Sequence, residues 1–297
     1  MERPLMSKVF KIFNKEFLMR IVFMISALAA IMAVALICIF LFAGGIPAIN
    51  KIGVFEFLLG NEWSPSDLPP LFGIFPMIIG SLYVTAGAIL CGVPVGILTA
   101  VFMAKVCPKF LYKILKPALD LLAGIPSVVY GFFGIIILVP LTSYYLGGNG
   151  NSILTASILL GIMILPTIIA ITETAIRAVP NELYEGAVAL GASHERAIFH
   201  IILPAAKSGI MAAVVLGIGR AIGETMAVKM VAGNQPLLRL PNEFLKGART
   251  LTANVVIEMG YAEGLHREAL IATGIVLFLF ILIINLLFSL LKKEAAK

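Results

Sequence analysis

The sequence predicts an all-α polytopic membrane protein with six transmembrane helices. Of its 297 residues, 60% are hydrophobic and only 13% are charged, and the mean hydropathy is +1.05. Soluble domains carry about 45–50% apolar residues and about 25% charged residues. The apolar residues fall in six runs, each long enough to cross roughly 30 Å of hydrocarbon as a helix. This composition excludes a soluble domain. The net charge of +6 is therefore assigned loop by loop, and no nucleic-acid partner is expected.

The six runs divide the chain into an N-terminal segment, a first span and a five-span core. Residues 1–20 are basic and amphipathic, residues 21–43 form the first span, and the core covers residues 70–292. Pro94 predicts a bend in the second span, and the Gly-Ile-Pro sequence at 124–126 interrupts the third. The core spans are predicted at residues 74–104, 117–141, 153–171, 207–231 and 268–291.

Residues 181–204, between the fourth and fifth spans, are too polar to lie in lipid. They are predicted to form two short helices joined by a turn. Asn181 is expected to N-cap the first helix and Gly191 to end it, while Ser193 is expected to cap the second. A polar helix–turn–helix fixed between two spans is suited to contact a partner outside the membrane.

The distribution of basic residues predicts which side of the membrane each loop occupies. Six spans place both termini on one side, together with residues 105–116 and 181–204. Counted with Arg177 and Lys207, which flank residues 181–204, this side holds fifteen of the Lys and Arg residues, and the opposite loops hold five. Loops rich in Lys and Arg remain in the cytoplasm. We therefore predict a multi-pass protein of the prokaryotic plasma (inner) membrane with both termini cytoplasmic and residues 232–266 as an external loop.

The polar stretch resembles the cytoplasmic coupling loop of ABC-importer permeases. That family has Glu-Ala-Ala, then a Gly, then Ile-x-Leu-Pro; here the matching residues are 185–187, Gly191 and 201–204. Gly186 departs from the pattern and weakens the first helix by about 1 kcal/mol. We call residues 181–204 the coupling stretch. The resemblance implies that it contacts an ATPase through Glu185, Gly186, Ala187, Ala189, Leu190, Gly191 and Ala192.

Three further stretches resemble phosphate-importer permeases of the PstC type. They are residues 119–131 (LDLLAGIPSVVYG), 219–227 (GRAIGETMA) and 249–254 (RTLTAN). The resemblance implies a type I ABC importer permease (MetI-like) fold with a cytoplasmic coupling helix. It also implies a PstA-like partner permease, two ATPase subunits that use ATP and Mg, and a periplasmic or lipid-anchored phosphate-binding protein. This chain is expected to bind no cofactor and, apart from membrane lipid, to contact only those subunits.

Two opposite charges lie within the predicted fifth span. Arg220 and Glu224 are four residues apart, so we expect them to share one helix face. Intramembrane charges usually mark a transport pathway, although a structural ion pair between spans gives the same pattern. Ser127 follows a proline break where freed N–H groups meet an anion, Thr225 adds a hydroxyl group, and Lys229 either snorkels or draws an anion inward.

The predicted external loop carries the basic residues Arg239, Lys246 and Arg249. Because this loop faces the side from which substrate arrives, these residues are predicted to dock a loaded binding protein. Trp63, in the loop after the first span, is predicted to lie at the membrane interface, where Trp is enriched.

Three other functions compete with this interpretation of the sequence. A permease for sulfate or molybdate would have the same coupling loop, and an ion-coupled secondary transporter would need no ATPase. An intramembrane enzyme is disfavoured because the chain contains neither H-E-x-x-H nor G-x-S-x-G. The absence of a Walker sequence assigns ATP hydrolysis to a separate chain, and the three cysteines lack metal-ligand spacing. We therefore predict a non-catalytic permease subunit without a metal site.

Overall fold

A computed structural model describes the backbone of residues 4–295 and the side chains of residues 16–286. Within this part of the chain, five helical segments are long and apolar enough to cross a membrane, or six if one pair of helices bent by 70° counts as one span. The prediction of an all-α, six-span protein is confirmed. The five unbent segments are Glu16–Ile52, Phe75–Val106, Ser127–Leu146, Ile153–Arg177 and Gly264–Leu286.

The first helix is much longer than predicted. Helix α1 covers Pro4–Ile52, so the helix of the first span is continuous with residues 4–20, and the predicted loop after residue 43 begins only after residue 52. Gly44 and Gly45 continue the helix because they permit close packing on the last helix: a Cβ at Gly45 would lie 2.8 Å from Ala272 Cα. Residues 1–3 and the side chains through residue 15 lie outside the described part of the chain.

A small hairpin follows α1. Helix α2 covers Val54–Leu59, and strands β1 (Trp63–Ser64) and β2 (Leu71–Phe72) pair antiparallel. Trp63 is 5% exposed and packs edge-on against Phe72. The prediction that Trp63 is an interfacial anchor is wrong, because the hairpin buries its ring within the protein.

The centre of the bundle consists of two long helices. Helix α3 covers Phe75–Val101 and continues as a π-helical turn to Val106, and helix α7 covers Ile153–Arg177. They pack together along their length. The fourth span thus continues six residues beyond its predicted end. The buried residues that α7 contributes to the core include Leu159, Leu160, Met163, Ile164 and Ile168.

The third span is broken, as predicted. Helix α4 (Lys109–Gly124) ends at an extended Ile125-Pro126 step. Helix α5 (Ser127–Phe133), a π-helical turn and helix α6 (Val139–Leu146) follow. The apolar segment is 127–146, not 117–141. Pro117 lies inside α4 and does not begin a span.

The coupling stretch contains helix α8 (Asn181–Ala189) and the start of a second helical run. Helix α9 (His194–Ala197), a π-helical turn and α10 (Leu203–Ala205) form this run. The chain bends by 70° before helix α11 (Lys207–Gly223). Helix α12 (Met226–Val231) follows a break at Glu224 and Thr225. The prediction of one helix over 207–231 is therefore wrong.

Residues 232–266 include more than a polar loop. Gly233 and Ala248 form a parallel bridge, and helix α13 (Leu251–Glu258) packs against α3 and α14. Leu251, Ala253 and Asn254 are buried, so α13 is part of the bundle. Helix α14 covers Gly264–Ala295. The side chains of the Lys-rich C-terminal tail lie outside the described residues.

Candidate functional site

Two local motifs shape the coupling stretch. The Gly191 N–H donates to Val188 O at 2.9 Å and the Ala192 N–H to Ala187 O at 3.1 Å, which is the Schellman pattern for a helix end. Gly191 has φ +88°, a conformation that favours glycine. The Ser193 hydroxyl oxygen accepts the Arg196 N–H at 3.3 Å. The predictions for Gly191 and Ser193 are confirmed, but Pro180, not Asn181, is the N-cap residue, and it has no side-chain oxygen.

The coupling stretch is fixed to the ends of α3 and α7. Ile198 and Ile202 are buried in a cluster with Val101 and Ile176. The Tyr184 hydroxyl group bonds to His194 Nδ1 at 2.8 Å and thereby connects the two helices of the stretch. The coupling stretch therefore packs directly against these two central helices. We call this end of the bundle the coupling end, and the other the opposite end.

The coupling stretch exposes several apolar side chains. Leu190 is 92% exposed, and Leu183 and Val188 are also exposed. A Cβ at Gly186 would meet no atom within 4 Å, so this departure from the family pattern has no packing cause within the described chain. Among the predicted coupling residues, Glu185, Gly186, Ala189, Leu190 and Gly191 are exposed, and Ala187 and Ala192 are half-buried.

Arg220 is a half-buried cation near the end of α11. Its Nη1 donates to Thr167 Oγ1 on α7 at 2.9 Å. Within the described part of the chain it forms no ion pair. A guanidinium group with five donors and one protein acceptor retains donors for an anion.

Glu224 does not share a helix face with Arg220, because α11 ends at Gly223 and Glu224 has an extended conformation. Its Oε1 accepts the Ala227 N–H at 3.2 Å and so caps α12. The predicted juxtaposition is wrong, and the alternative of an Arg220–Glu224 ion pair fails with it. The local sequence Gly-Glu-Thr at residues 223–225 does not predict this helix end.

The breaks in the third and fifth spans are followed by two half-helices that pack together. A Cβ at Gly131 of α5 would lie 3.1 Å from Ala227 Cα of α12, so glycine favours this close approach of the two half-helices. The Tyr130 hydroxyl group donates to Leu122 O at 2.8 Å across the α4–α5 break. This contact makes the break part of the folded structure.

The remaining predicted pathway residues lie along these two half-helices. Ser127 is the first residue of α5 and is half-buried. The Thr225 hydroxyl group donates to Gly223 O at 3.3 Å within the second break. Lys229 lies one turn into α12, and its carbonyl oxygen accepts the Asn234 side-chain N–H at 2.6 Å. The structure therefore places Ser127 and Thr225 at the breaks and Lys229 beyond them.

The three predicted docking residues have different environments. Lys246 is exposed and donates to Glu243 Oε1 at 2.6 Å. The hydrogen bond from Lys246 is the main cause that holds the pKa of Glu243 below its usual value, and the hydrogen bond from the Leu240 N–H is the second. Arg239 Nε donates to Gly247 O at 2.9 Å, and another guanidinium nitrogen contacts Gln235. Both residues remain candidates for docking.

Arg249 belongs to a buried cluster around Glu258 and is no longer a docking candidate. The Glu258 carboxylate accepts bonds from Arg249 Nη1 at 2.5 Å, Trp63 Nε1 at 2.7 Å and His266 Nε2 at 2.9 Å. Arg249 also donates to Asn254 Oδ1 at 2.9 Å. The cluster connects the hairpin, α13 and α14 at the opposite end. Sequence reasoning missed it because Trp63 and Glu258 are 195 residues apart.

A second buried carboxylate, Glu173, was also missed. Glu173 is 3% exposed and accepts bonds from Tyr112 Oη at 2.7 Å and Arg177 Nε at 2.8 Å. Lys116 Nζ lies 3.5 Å away. The bond to Glu173 is the main cause that raises the pKa of Tyr112. The spacing of Glu173 and Arg177, four residues, was a usable signal, but the predicted span ended at residue 171.

A bundle of spans with two broken helices and an exposed coupling stretch is typical of transport permeases. A family model described as a binding-protein-dependent transport system inner membrane component matches residues 92–297. The chain belongs to this family. Its members are integral components of the inner membrane and serve transport, so the prediction of a non-catalytic membrane subunit is confirmed.

Two curated relatives cover most of the chain. The probable ABC transporter permease protein YqgH of Bacillus subtilis (strain 168) is 41% identical over 276 residues, which is 89% of this chain and 89% of the relative. The phosphate transport system permease protein PstC of Mesorhizobium japonicum is 35% identical over 280 residues, which is 86% of this chain and 84% of the relative. The resemblance to PstC-type permeases stated from the motifs is confirmed.

Two solved structures share the fold. A bacterial alginate ABC transporter, in complex with an alginate pentasaccharide-bound periplasmic protein, gives a TM-score of 0.65, with 98% of this chain and 99% of that chain covered. The inward-facing methionine ABC transporter MetNI gives 0.62, with 75% and 96% covered. Each is 17% identical. They confirm the predicted ABC importer permease fold.

Proposed function

We propose that this chain is the PstC-type permease subunit of an ATP-driven importer of inorganic phosphate. The observation that carries the proposal is Arg220, a half-buried guanidinium group whose one described side-chain partner is Thr167. Its planar fork of donors matches the oxygens of phosphate. The name of the Mesorhizobium japonicum relative, a phosphate transport permease, supports the same substrate.

The proposed pathway runs beside the breaks in the third and fifth spans. Arg220 attracts the anion, Lys229 adds positive charge along α12, and the hydroxyl groups of Ser127 and Thr225 donate hydrogen bonds. Glu224 gives the chemical basis for selectivity: its carboxylate accepts the proton of hydrogen phosphate, which sulfate lacks at neutral pH. Close packing of α5 on α12 supports this arrangement because it brings the two half-helices together.

The proposed assembly contains a PstA-like permease, two ATPase subunits and a phosphate-binding protein. The ATPase subunits bind ATP and Mg and contact the exposed face of the coupling stretch. Both termini lie in the cytoplasm, since the excess of Lys and Arg falls on that side. The exposed side chains of Leu183, Val188 and Leu190 support a partner at this surface, because apolar residues grouped on an exposed surface often mark an interaction site.

Substrate selectivity tests the proposed function. In proteoliposomes containing the full complex and the loaded binding protein, we expect uptake of labelled phosphate at least about tenfold faster than that of sulfate or molybdate. Uptake should require ATP on the side of the proteoliposome membrane that carries the ATPase subunits. Equal uptake of sulfate would favour the other-oxyanion alternative. Uptake driven by an ion gradient without ATP would indicate a secondary transporter.

The docking of the binding protein is tested at Lys246. Lys246→Gln removes a charge without placing a second carboxylate beside Glu243. We expect stimulation of ATP hydrolysis by the loaded binding protein to weaken by about two- to fivefold, the usual value of an exposed charge contact. Basal hydrolysis should not change, because Lys246 lies at the end opposite the coupling stretch. Arg267→Gln, an equal charge loss outside residues 235–249, is the control and should leave stimulation unchanged. If the two variants give the same stimulation, the docking surface does not include Lys246.

A further inference from the structure

An open basic cavity lies at the coupling end, away from Arg220. It has a volume of about 300 Å³ and lies between the end of α3, the start of α4 and the end of α7. The lining side chains that the structure describes include four cations and no carboxylate. The polar and charged ones are Lys105, Lys109, Tyr112, Lys113 and Arg177. Such a cavity attracts an anion.

The cations of this cavity retain donors for a ligand. Lys109 and Lys113 are exposed and form no ion pair within the described part of the chain. Arg177 uses Nε for Glu173 and Nη2 for Met103 O at 2.9 Å, which leaves Nη1 without a described protein acceptor. Lys105 Nζ lies 6.0 Å from the centre of the Tyr184 ring. The cavity therefore borders the coupling stretch.

The surface of α4 indicates where the membrane boundary lies. Phe110, Ile114 and Leu121 are 77%, 53% and 73% exposed, and their spacing places them on one face of the helix. Tyr112, Leu115 and Leu119 pack on the opposite face against buried residues of α3 and α7. The lysines lie between these two faces. An exposed apolar stripe bordered by a cationic row is typical of helices at the lipid headgroup level.

We propose that this cavity binds the phosphodiester headgroup of an anionic phospholipid in the leaflet at the coupling end. Basic pockets between transmembrane helices bind such headgroups. Lys109 and Lys113 supply point charges, and Arg177 supplies a directed donor. The acyl chains extend along the apolar stripe of α4. The site is separate from the proposed transport pathway and does not depend on the identity of the transported anion.

The test uses native mass spectrometry of the purified full-length chain with dioleoyl phosphatidylglycerol and dioleoyl phosphatidylcholine. We expect at least about tenfold preference for phosphatidylglycerol. Lys109→Gln/Lys113→Gln should weaken phosphatidylglycerol binding by roughly thirtyfold, because each lysine near a lipid surface contributes about fivefold. Arg196→Gln/Lys207→Gln removes two exposed cations from the same end outside the cavity and should leave binding unchanged. Lys109→Arg/Lys113→Arg should retain the preference.

Two results would overturn the proposal. Equal binding of the two lipids, or full phosphatidylglycerol preference in the double glutamine variant, would show that the headgroup does not bind in this cavity. Free inorganic phosphate offers the same negatively charged oxygens as the headgroup, so it is added at millimolar concentration as a competitor. If it displaces phosphatidylglycerol from the wild-type chain, the cavity is a free-phosphate site instead. Thermal unfolding of each variant controls for folding, and the single Lys113→Gln variant, expected to lose about fivefold, provides a milder change.

Discussion

Arg220→Gln is expected to lower phosphate uptake by roughly a hundredfold while the complex still assembles. The change keeps a polar side chain but removes the charge and the fork of donors. Two charge-assisted hydrogen bonds to an anion contribute about 3 kcal/mol together, which corresponds to this loss of rate. Basal ATP hydrolysis should persist, because Arg220 lies on α11 and not in the coupling stretch. Uptake and complex yield are measured side by side.

Thr167→Val separates a pathway role for Arg220 from a structural one. It removes the hydroxyl group that Arg220 contacts at 2.9 Å and leaves the cation in place. If Arg220 binds the anion, Thr167→Val should have a mild effect, and Arg220→Lys should retain part of the uptake through its charge. If Arg220 only joins α11 to α7, both Arg220→Gln and Thr167→Val should reduce complex yield. Normal phosphate uptake in Arg220→Gln would contradict the transport role proposed for Arg220.

Glu224→Gln gives a contrast within the same site. Glutamine keeps the oxygen that caps α12 through the Ala227 N–H, so assembly should be retained. The change removes the carboxylate that accepts the proton of hydrogen phosphate. Discrimination between phosphate and sulfate should therefore fall, although Arg220 is unaltered. Because the two side chains form no ion pair in the described chain, the double neutral variant should not recover uptake.

Leu190→Asp is expected to uncouple ATP hydrolysis from transport. Leu190 is 92% exposed, so its loss removes no packing within this chain. If the ATPase buries it, the change forfeits about 2 kcal/mol of apolar contact and weakens assembly roughly thirtyfold. Glu185→Lys should act in the same direction through reversed charge. The measurements are retention of the ATPase subunit during purification and uptake per ATP hydrolysed.

Gly186→Ala is the matched control on the same helix. Its Cβ meets nothing within 4 Å, and alanine raises helix propensity by about 1 kcal/mol. We expect normal coupling and an equal or higher thermal stability. Gly191→Asp is a weaker test, because a residue with a Cβ at φ +88° strains the turn itself. Normal coupling in both Leu190→Asp and Glu185→Lys would show that the ATPase contacts another surface.

Local rules explain what was predicted correctly in the coupling stretch and the third span. A capping serine, a glycine at a helix end and a Gly-Ile-Pro break each act within four residues. The structure places Ser193, Gly191 and Pro126 accordingly. The roles assigned to the coupling residues remain predictions, since the ATPase surface lies on another chain. Exposure of Leu190 and of its neighbours supports them.

The sequence by itself determined the membrane class, the six spans and the exposed helix–turn–helix, because hydropathy and capping are local properties. Only the tertiary structure decided that α1 continues through Gly45, that α11 ends before Glu224, and that Arg249 and Trp63 bond to Glu258. These outcomes depend on contacts such as Gly45 against Ala272 and Trp63 against Glu258. The members of these two pairs are separated by about two hundred residues, and no local pattern specifies which distant helix a glycine or a tryptophan will meet.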